Sequence, residues 1–382
     1  MKKILLLTDF SSGYGRNLLQ GIVKYSKEYG PWVFYRMPMY YRELYGDEGV
    51  IRWAKKWKAD AVIAQLDSID VTKLRQLRIP IIIQNYKERT NKMCNITGDY
   101  IRTGEMAADF FIHRGFTHFA YYGFSDMIWS RERAEGFRRI IEKRGFKLSV
   151  LNNNNRKDEH WSFNINTLSK WLLALPKPVA LFACDDYFAS HITETCKIHN
   201  IPVPDHISVL GVDNDVLICD TSAPPLSSIA LDVESGGYKA AAVLHKLMSR
   251  EISKAFDIVI PPRRIVLRQS TEKFATNDID VMQVIAYIQR KYDKPLCVDD
   301  MMFLVPLSRR VLEKKFKREM GISIYQYLLY YRIEQYAHLL IATQRPLTEL
   351  SLQCGFNDYK NVSRLFRKFK SINPMQYRKL YT

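Results

Sequence analysis

ELSLQCGFNDYKNVSRLFRKFKSINPMQYR, residues 349–378, decides how the C-terminal part of the chain is built. Leu350, Leu352 and Cys354 supply the apolar side of a short helix. Gly355 permits a turn with positive φ, and Asn357 or Asp358 stands where a second helix needs its cap. In that second helix Val362, Leu365, Phe366 and Phe369 fall at i, i+3, i+4 and i+7, one buried stripe. Tyr359, Lys360, Asn361 and Arg364 take the opposite face. This is the pattern of a helix-turn-helix. From Tyr359 to Thr382 there are seven Lys or Arg residues and no Asp or Glu. A charge run is ordinarily a solvated face, but here the basic residues interleave with aromatics on a helix behind a tight turn. That arrangement suits phosphates and base edges in a DNA major groove.

The same plan recurs about fifty residues upstream. Asp299–Val305 and Ser308–Lys317 read as a first helix-turn-helix, with Ser308 as cap, Leu312 and Phe316 as the buried i, i+4 pair and Pro306 at the turn. On the outward face lie Arg309, Arg310, Glu313 and Lys314. Arg pairs bidentately with guanine, Glu accepts from cytosine, and Lys more often meets phosphate. Between the motifs, Ile324–Ile341 places Leu329, Ile333, Ala337 and Leu340 on one side of a continuous spacer helix. Two recognition helices held roughly 34 Å apart, one turn of DNA, enter successive major grooves of one duplex. Val281, Val284, Ile285 and Ile288 open this domain on one apolar helical face.

Residues 1–268 are built differently, with short apolar strands (4–7, 33–35, 61–63, 81–83, 119–122, 179–182, 207–210, 226–230, 258–260) alternating with amphipathic helices. Strands buried on both faces and separated by helices predict parallel sheets of βαβ units, and two such series predict two lobes. The polar, aperiodic stretch 269–278 is the expected linker, and 279–382 the all-α double helix-turn-helix domain. The formal charge of +17 favours an acidic partner. Net charge is +8 over 278–382 and +9 over the longer remainder, so it is densest at the C-terminus. Six cysteines without a CxxC pair or a Cys/His cluster predict free thiols and no metal or cofactor. The apolar run Ile4–Leu7 is too short for a signal peptide, no run reaches membrane-spanning length, and a cytoplasmic location is expected.

GF at 355–356, FRK at 366–368, Pro374 and YR at 377–378 resemble the signature of the AraC-type DNA-binding domain. A Gly common in that family after the Phe-Lys-Lys run is replaced near Ser371. The N-terminal order is similar to the LacI-type sugar-binding core, of periplasmic-binding-protein-like fold. YGR at 14–16, FAYYG at 119–123, 129–137, IPVP at 201–204, LGVDN at 210–214, LSSI at 226–229 and PP at 261–262 bring the resemblance to the regulators of xylose operons over most of the chain. It implies a sugar-responsive transcription regulator, an activator of pentose (D-xylose) catabolism genes. Double-stranded operator DNA, a sugar effector, a second copy in a homodimer and RNA polymerase are the implied partners. A relative sensing another sugar or an oligosaccharide is the alternative.

A sugar offers hydroxyls and an apolar face, so its site needs carboxylates, a forked Arg donor and a flat aromatic. Such groups collect at the C-terminal ends of parallel strands. Asp9 and Tyr14 follow the first strand, Trp129 and Arg133 follow Tyr122, Asp185 follows Phe182, and Asp213 follows Leu210. Arg133, Asp185 and Asp213 are expected to hydrogen-bond a pentose and Trp129 to stack on it. The competing reading of each Asp is a helix cap or turn, as it is for Asp99 before the helix near Thr103. An enzyme is not expected: Gly13-Tyr14-Gly15 lacks the third Gly of a dinucleotide loop, Leu18 taking its place, and no Walker, GxSxG or HExxH motif occurs. A solute-binding transport protein would not explain the basic C-terminal domain.

Overall fold

The computed structural model describes residues 1–381 apart from 38, 67–70, 88, 90–92, 153–164, 253, 273–275, 277, 321 and 371. Part of the stretch read as a linker therefore lies outside the described residues. Two compact units are present, Met1–Asp109 with His118–Glu272, and Phe110–Thr117 with Lys273–Thr382.

The first unit holds two six-stranded sheets. Its chain runs β1 (Lys2–Leu7), α1 (Gly13–Tyr29), β2 (Trp32–Arg36), α2 (Met39–Trp57), β3 (Ala61–Leu66), α3 (Val71–Leu74), β4 (Ile81–Asn85) and β5 (Cys94–Gly98). After α4 (Tyr100–His113) come β6 (Phe119–Gly123), α5 (Ile128–Lys143), β7 (Leu148–Asn152), α6 (Ile165–Ala174), β8 (Val179–Ala183) and α7 (Asp186–Ile198). β9 (Ile207–Val212), α8 (Val216–Thr221), β10 (Ser227–Leu231), α9 (Val233–Met248), β11 (Asp257–Ile260) and β12 (Pro262–Val266) complete it. The strand orders are β11-β5-β4-β3-β1-β2 and β12-β10-β9-β8-β6-β7. Every pairing is parallel except that of β12, which lies antiparallel on β10. Ile4–Leu7 are at most 1% exposed, as a strand covered on both faces requires.

The chain crosses between the lobes at α4, before α9, and at Pro261. After β10, helix α9 returns to the first lobe and packs on α1. The helices meet through glycine: a Cβ on Gly21 would lie 1.9 Å from the Glu234 carbonyl oxygen, and one on Gly237 2.1 Å from that of Leu18. β5 (CNITG) was not anticipated, because Asn95 and Thr97 break its apolar run. Burial of Asn95 is made tolerable by hydrogen bonds from its amide to Asp257 Oδ1 (2.8 Å) and the Met93 carbonyl (3.1 Å).

The second unit contains α10 (Ile279–Lys291), a 3-10 segment Val298–Leu304, α11 (Arg309–Met320), α12 (Ile324–Ala342), α13 (Leu347–Gln353), α14 (Tyr359–Lys370) and α15 (Pro374–Tyr381). Two cores sit along α12. One gathers Val281, Val284, Ile285, Ile288, Leu312 and Phe316, the other Ile333, Ala337, Leu340, Leu350, Cys354, Val362 and Phe366. Leu312/Phe316 and Val362/Phe366 thus do the same work fifty residues apart. Asp299–Val305, read as the first helix of the upstream motif, is a 3-10 helix over Val298–Leu304, and Val305 is extended. Leu352 is corrected from the buried side to the surface, where it is 60% exposed. At i+2 from Leu350 it lies on the far side of α13, whereas Leu347, Leu350, Ser351 and Cys354 follow helical spacing.

Candidate functional site

Loops at the C-terminal ends of the first unit's strands bring five of the six predicted ligand residues into one network. Arg133, 3% exposed on α5, is its centre. Its Nη1 donates to the Cys184 carbonyl, and its Nη2 lies 3.5 Å from Asp213 Oδ1. Its guanidinium carbon is 5.4 Å from the Trp129 ring centroid and 5.5 Å from that of Tyr100. The Arg133 Nε is buried with no hydrogen-bond partner among the described residues.

Asp213 sits at φ +99° and Asn214 at +51°, a left-handed pair costly for residues with a side chain. The turn is held by Asn214 N–H donating to Ser228 Oγ (2.9 Å) and by Arg268 donating to Asn214 Oδ1 (3.0 Å). Burial raises the Asp213 carboxyl above its ordinary range, against the pull of Arg133. Burial likewise pushes Asp185 up to about 6, with the Phe188 N–H opposing and Asp213 adding repulsion. Asp185 Oδ1 accepts from Phe188 N–H at 2.7 Å, so this residue is a helix cap as well as a candidate acceptor.

Tyr14, in the first turn of α1, has Tyr100, Tyr86 and Asp213 as electrostatic neighbours, and burial raises its phenol well above the ordinary value, so it stays neutral. Asp9 is the exception to the convergence. Its Oδ1 accepts from the N–H (2.8 Å) and hydroxyl (2.6 Å) of Ser11, the turn role that competed with a ligand role. Asp99 likewise accepts from Arg102 N–H at 3.2 Å, as a helix cap.

Several residues at the site were missed. Gln65 and Gln84 each stand next to last in an apolar strand, AVIAQL and IIIQN, and are buried; that interruption near the same end of two neighbouring strands was the available signal. Asp215, 7% exposed, accepts from Gly13 N–H at 2.6 Å and from Arg16 Nη2 at 3.2 Å on each oxygen, tying the second lobe to the first. Arg89 of the first lobe forks onto Glu132 of the second at 2.5 and 2.7 Å. Both pairings are distant in sequence and carry no local pattern. Asp186 is fully buried, its carboxyl pushed far up by burial, and its Oδ2 accepts from Asp215 N–H at 2.7 Å.

On the second unit the predicted nucleic-acid face is solvent-exposed at Arg309, Arg310, Glu313, Lys314, Lys360, Asn361 and Arg364, with Tyr359 half-buried. Gly355 has φ +78°, and Asp358 is the residue that caps α14, its Oδ1 accepting from Lys360 N–H at 2.9 Å. Arg309 is held by Asp299 (2.8 and 3.0 Å) and Glu313 (3.1 Å), and Arg364 by Asn361 (3.1 Å). Arg310 and Lys314 have no side-chain bond among the described residues.

Against known families, residues 108–271 match a periplasmic binding protein-like domain and residues 304–380 a helix-turn-helix domain. The xylose operon regulatory protein of Escherichia coli K12 is 30% identical over 386 aligned residues, covering 98% of this chain and 96% of that protein. The chain belongs to the xylose operon regulatory protein family. The Haemophilus influenzae protein of the same name is 27% identical, with 98% of each chain covered. The solved structure of the xylose-binding transcription activator xylR shares 27% identity and a TM-score of 0.61 over 100% of this chain and 98% of that one. Membership makes the chain a DNA-binding transcription regulator with a ligand domain of sugar-binding type. Among the described residues no helix is long and apolar enough to cross a membrane.

Proposed function

We propose that this regulator senses a pentose, D-xylose, in the cleft between the lobes of its first unit and activates genes of pentose catabolism. The observation that carries the reading is the meeting of Arg133, Asp213 and Trp129 beside Tyr14 and Asp185. Donor, acceptors and stacking face stand together there, as a polyhydroxylated ring requires. End-to-end likeness to xylose operon regulators supports D-xylose as the effector. Arg310, Lys314, Lys360 and Arg364 supply charge and base-edge donors for operator DNA, with Arg309, Glu313, Tyr359 and Asn361 beside them. The sugar acts through its preference for one of two states of the protein. A homodimer on a two-part operator, contact with RNA polymerase and a cytoplasmic location complete the reading.

Thermal unfolding of the purified protein against millimolar pentoses and hexoses tests it. A sugar at about a hundred times its dissociation constant stabilises its domain by about 2.7 kcal/mol. D-xylose is expected to raise the melting temperature selectively. A shift with a different sugar alone transfers the regulator to another pathway, and no shift with any sugar removes the cleft assignment.

A further inference from the structure

A chain of hydrogen bonds with a fixed direction runs through the first lobe and ends at the cleft. Asp9 N–H donates to Gln65 Oε1 at 2.7 Å. Gln65 Nε2 donates to Gln84 Oε1 at 3.0 Å, and Gln84 Nε2 donates to the Tyr14 hydroxyl oxygen at 2.9 Å. The amides are 5% and 4% exposed, so water does not scramble their orientation. The direction follows from the first link. A backbone N–H can only donate, so Gln65 must turn its carbonyl oxygen toward Asp9. Its NH2 group then faces Gln84, which must answer with its own oxygen and present its NH2 to Tyr14. The phenol oxygen becomes an acceptor, and its proton has to leave in another direction. No described group accepts it.

We propose that Gln65 and Gln84 are positioning residues that hold Tyr14 as a one-way hydrogen-bond donor to an oxygen of the bound sugar. The proposal rests on the sugar-sensing reading above and deepens it. Asp185 and Asp213 take protons from sugar hydroxyls, and carboxylates alone leave two kinds of sugar oxygen unanswered. One is the ring oxygen, which only accepts; the other is the remaining lone pair of a hydroxyl that has already donated. Tyr14 answers an oxygen of either kind.

Reversing the last link tests the relay. In Gln84→Glu the carboxylate still accepts from Gln65 but also accepts the Tyr14 proton, turning it away from the cleft. Titration calorimetry with D-xylose at pH 8, and again at pH 9 because burial raises the introduced carboxyl and higher pH favours its ionised form, compares the wild type, Tyr14→Phe, Gln84→Glu and the double variant. Each single change is expected to weaken binding about tenfold, the scale of one hydrogen bond. The double variant is expected to bind no more weakly than Tyr14→Phe, because residue 84 then has no hydroxyl to orient. Wild-type affinity in Gln84→Glu, or losses that multiply in the double variant, would overturn the relay. Gln84→Met covers the case in which a buried charge unfolds the lobe: it frees the hydroxyl without capturing its proton, so a loss below about threefold is expected. No loss at all in Gln84→Met, or a loss greater than that of Tyr14→Phe, also overturns the relay. If the wild type binds no sugar at all, the sugar reading fails and takes the relay with it; sugar binding with an indifferent Gln84→Glu sinks the relay alone.

Discussion

Asp185 spans two roles. One oxygen caps α7 through Phe188 N–H, and the remaining lone pairs of the carboxylate are available to a sugar hydroxyl. Burial lifts its carboxyl to about 6 from the ordinary 3.8, so between those pH values the folded protein holds a proton that the unfolded chain has released. The protonated group has one acceptor fewer. Affinity for D-xylose is therefore expected to be full above pH 7 and to fall as pH drops through 6, by about tenfold at pH 5. His191 acts in part of the same window. Burial holds it down to about 4, so the unfolded chain takes up a proton first and the lobe loses stability as pH falls from about 6.5 toward 4. Calorimetric titration from pH 5 to 8, with circular dichroism at each pH to count folded protein, separates the two effects. A flat affinity over that range would remove Asp185 from the ligand set.

At the scale of elements, the two recognition helices show what a single sequence discloses. Their buried stripes were legible because helical spacing of large apolar residues is local; Val233–Met248 (α9) was legible for the same reason. Leu352 was misplaced because apolar type was read ahead of angular position. β5 was missed because what makes its polar residues tolerable, the Asn95 to Asp257 bond, joins residues far apart in sequence. Asp185 and Asp213 were legible as strand-end carboxylates, whereas the Gln65–Gln84 relay needed the register of neighbouring strands. Side-chain pairing was equally invisible, and it now ranks the DNA contacts on α11. Arg309 must release Asp299 and Glu313 before reaching a base, while Arg310 has no such tie. Arg310→Ala is expected to cost about 1–3 kcal/mol of operator affinity in a gel-shift titration, and Arg309→Ala less. The reverse order would show that the Arg309 pairs give way on DNA.

For the sensing unit as a whole, the contacts that tie the lobes are as informative as those that would hold a ligand. Asp215 accepts from Gly13 and Arg16 across the cleft, Arg89 forks onto Glu132, and Ile128 N–H donates to the Tyr86 carbonyl at 2.8 Å. All join the lobes without involving a sugar, so they favour the arrangement in which Trp129, Arg133 and Asp213 already face Tyr14. A protein held this way is partly organised for binding, and its apparent affinity scales with the fraction of molecules so arranged. Arg16→Ala removes the side-chain half of the Asp215 clasp and leaves its Gly13 N–H bond, Arg89→Ala removes the Glu132 clasp, and both leave intact the α8 cap that Asp215 supplies through Leu217 N–H (3.2 Å). If each clasp contributes about 1 kcal/mol, each substitution weakens D-xylose binding about fivefold. The double variant weakens it by about the product, because the clasps engage different residues on both lobes. The calorimetric affinity of the double variant decides the matter, with the Tyr14, Arg133 and Asp213 side chains untouched. Unchanged affinity would mean that the sugar itself, and not these clasps, supplies the free energy that brings the lobes together.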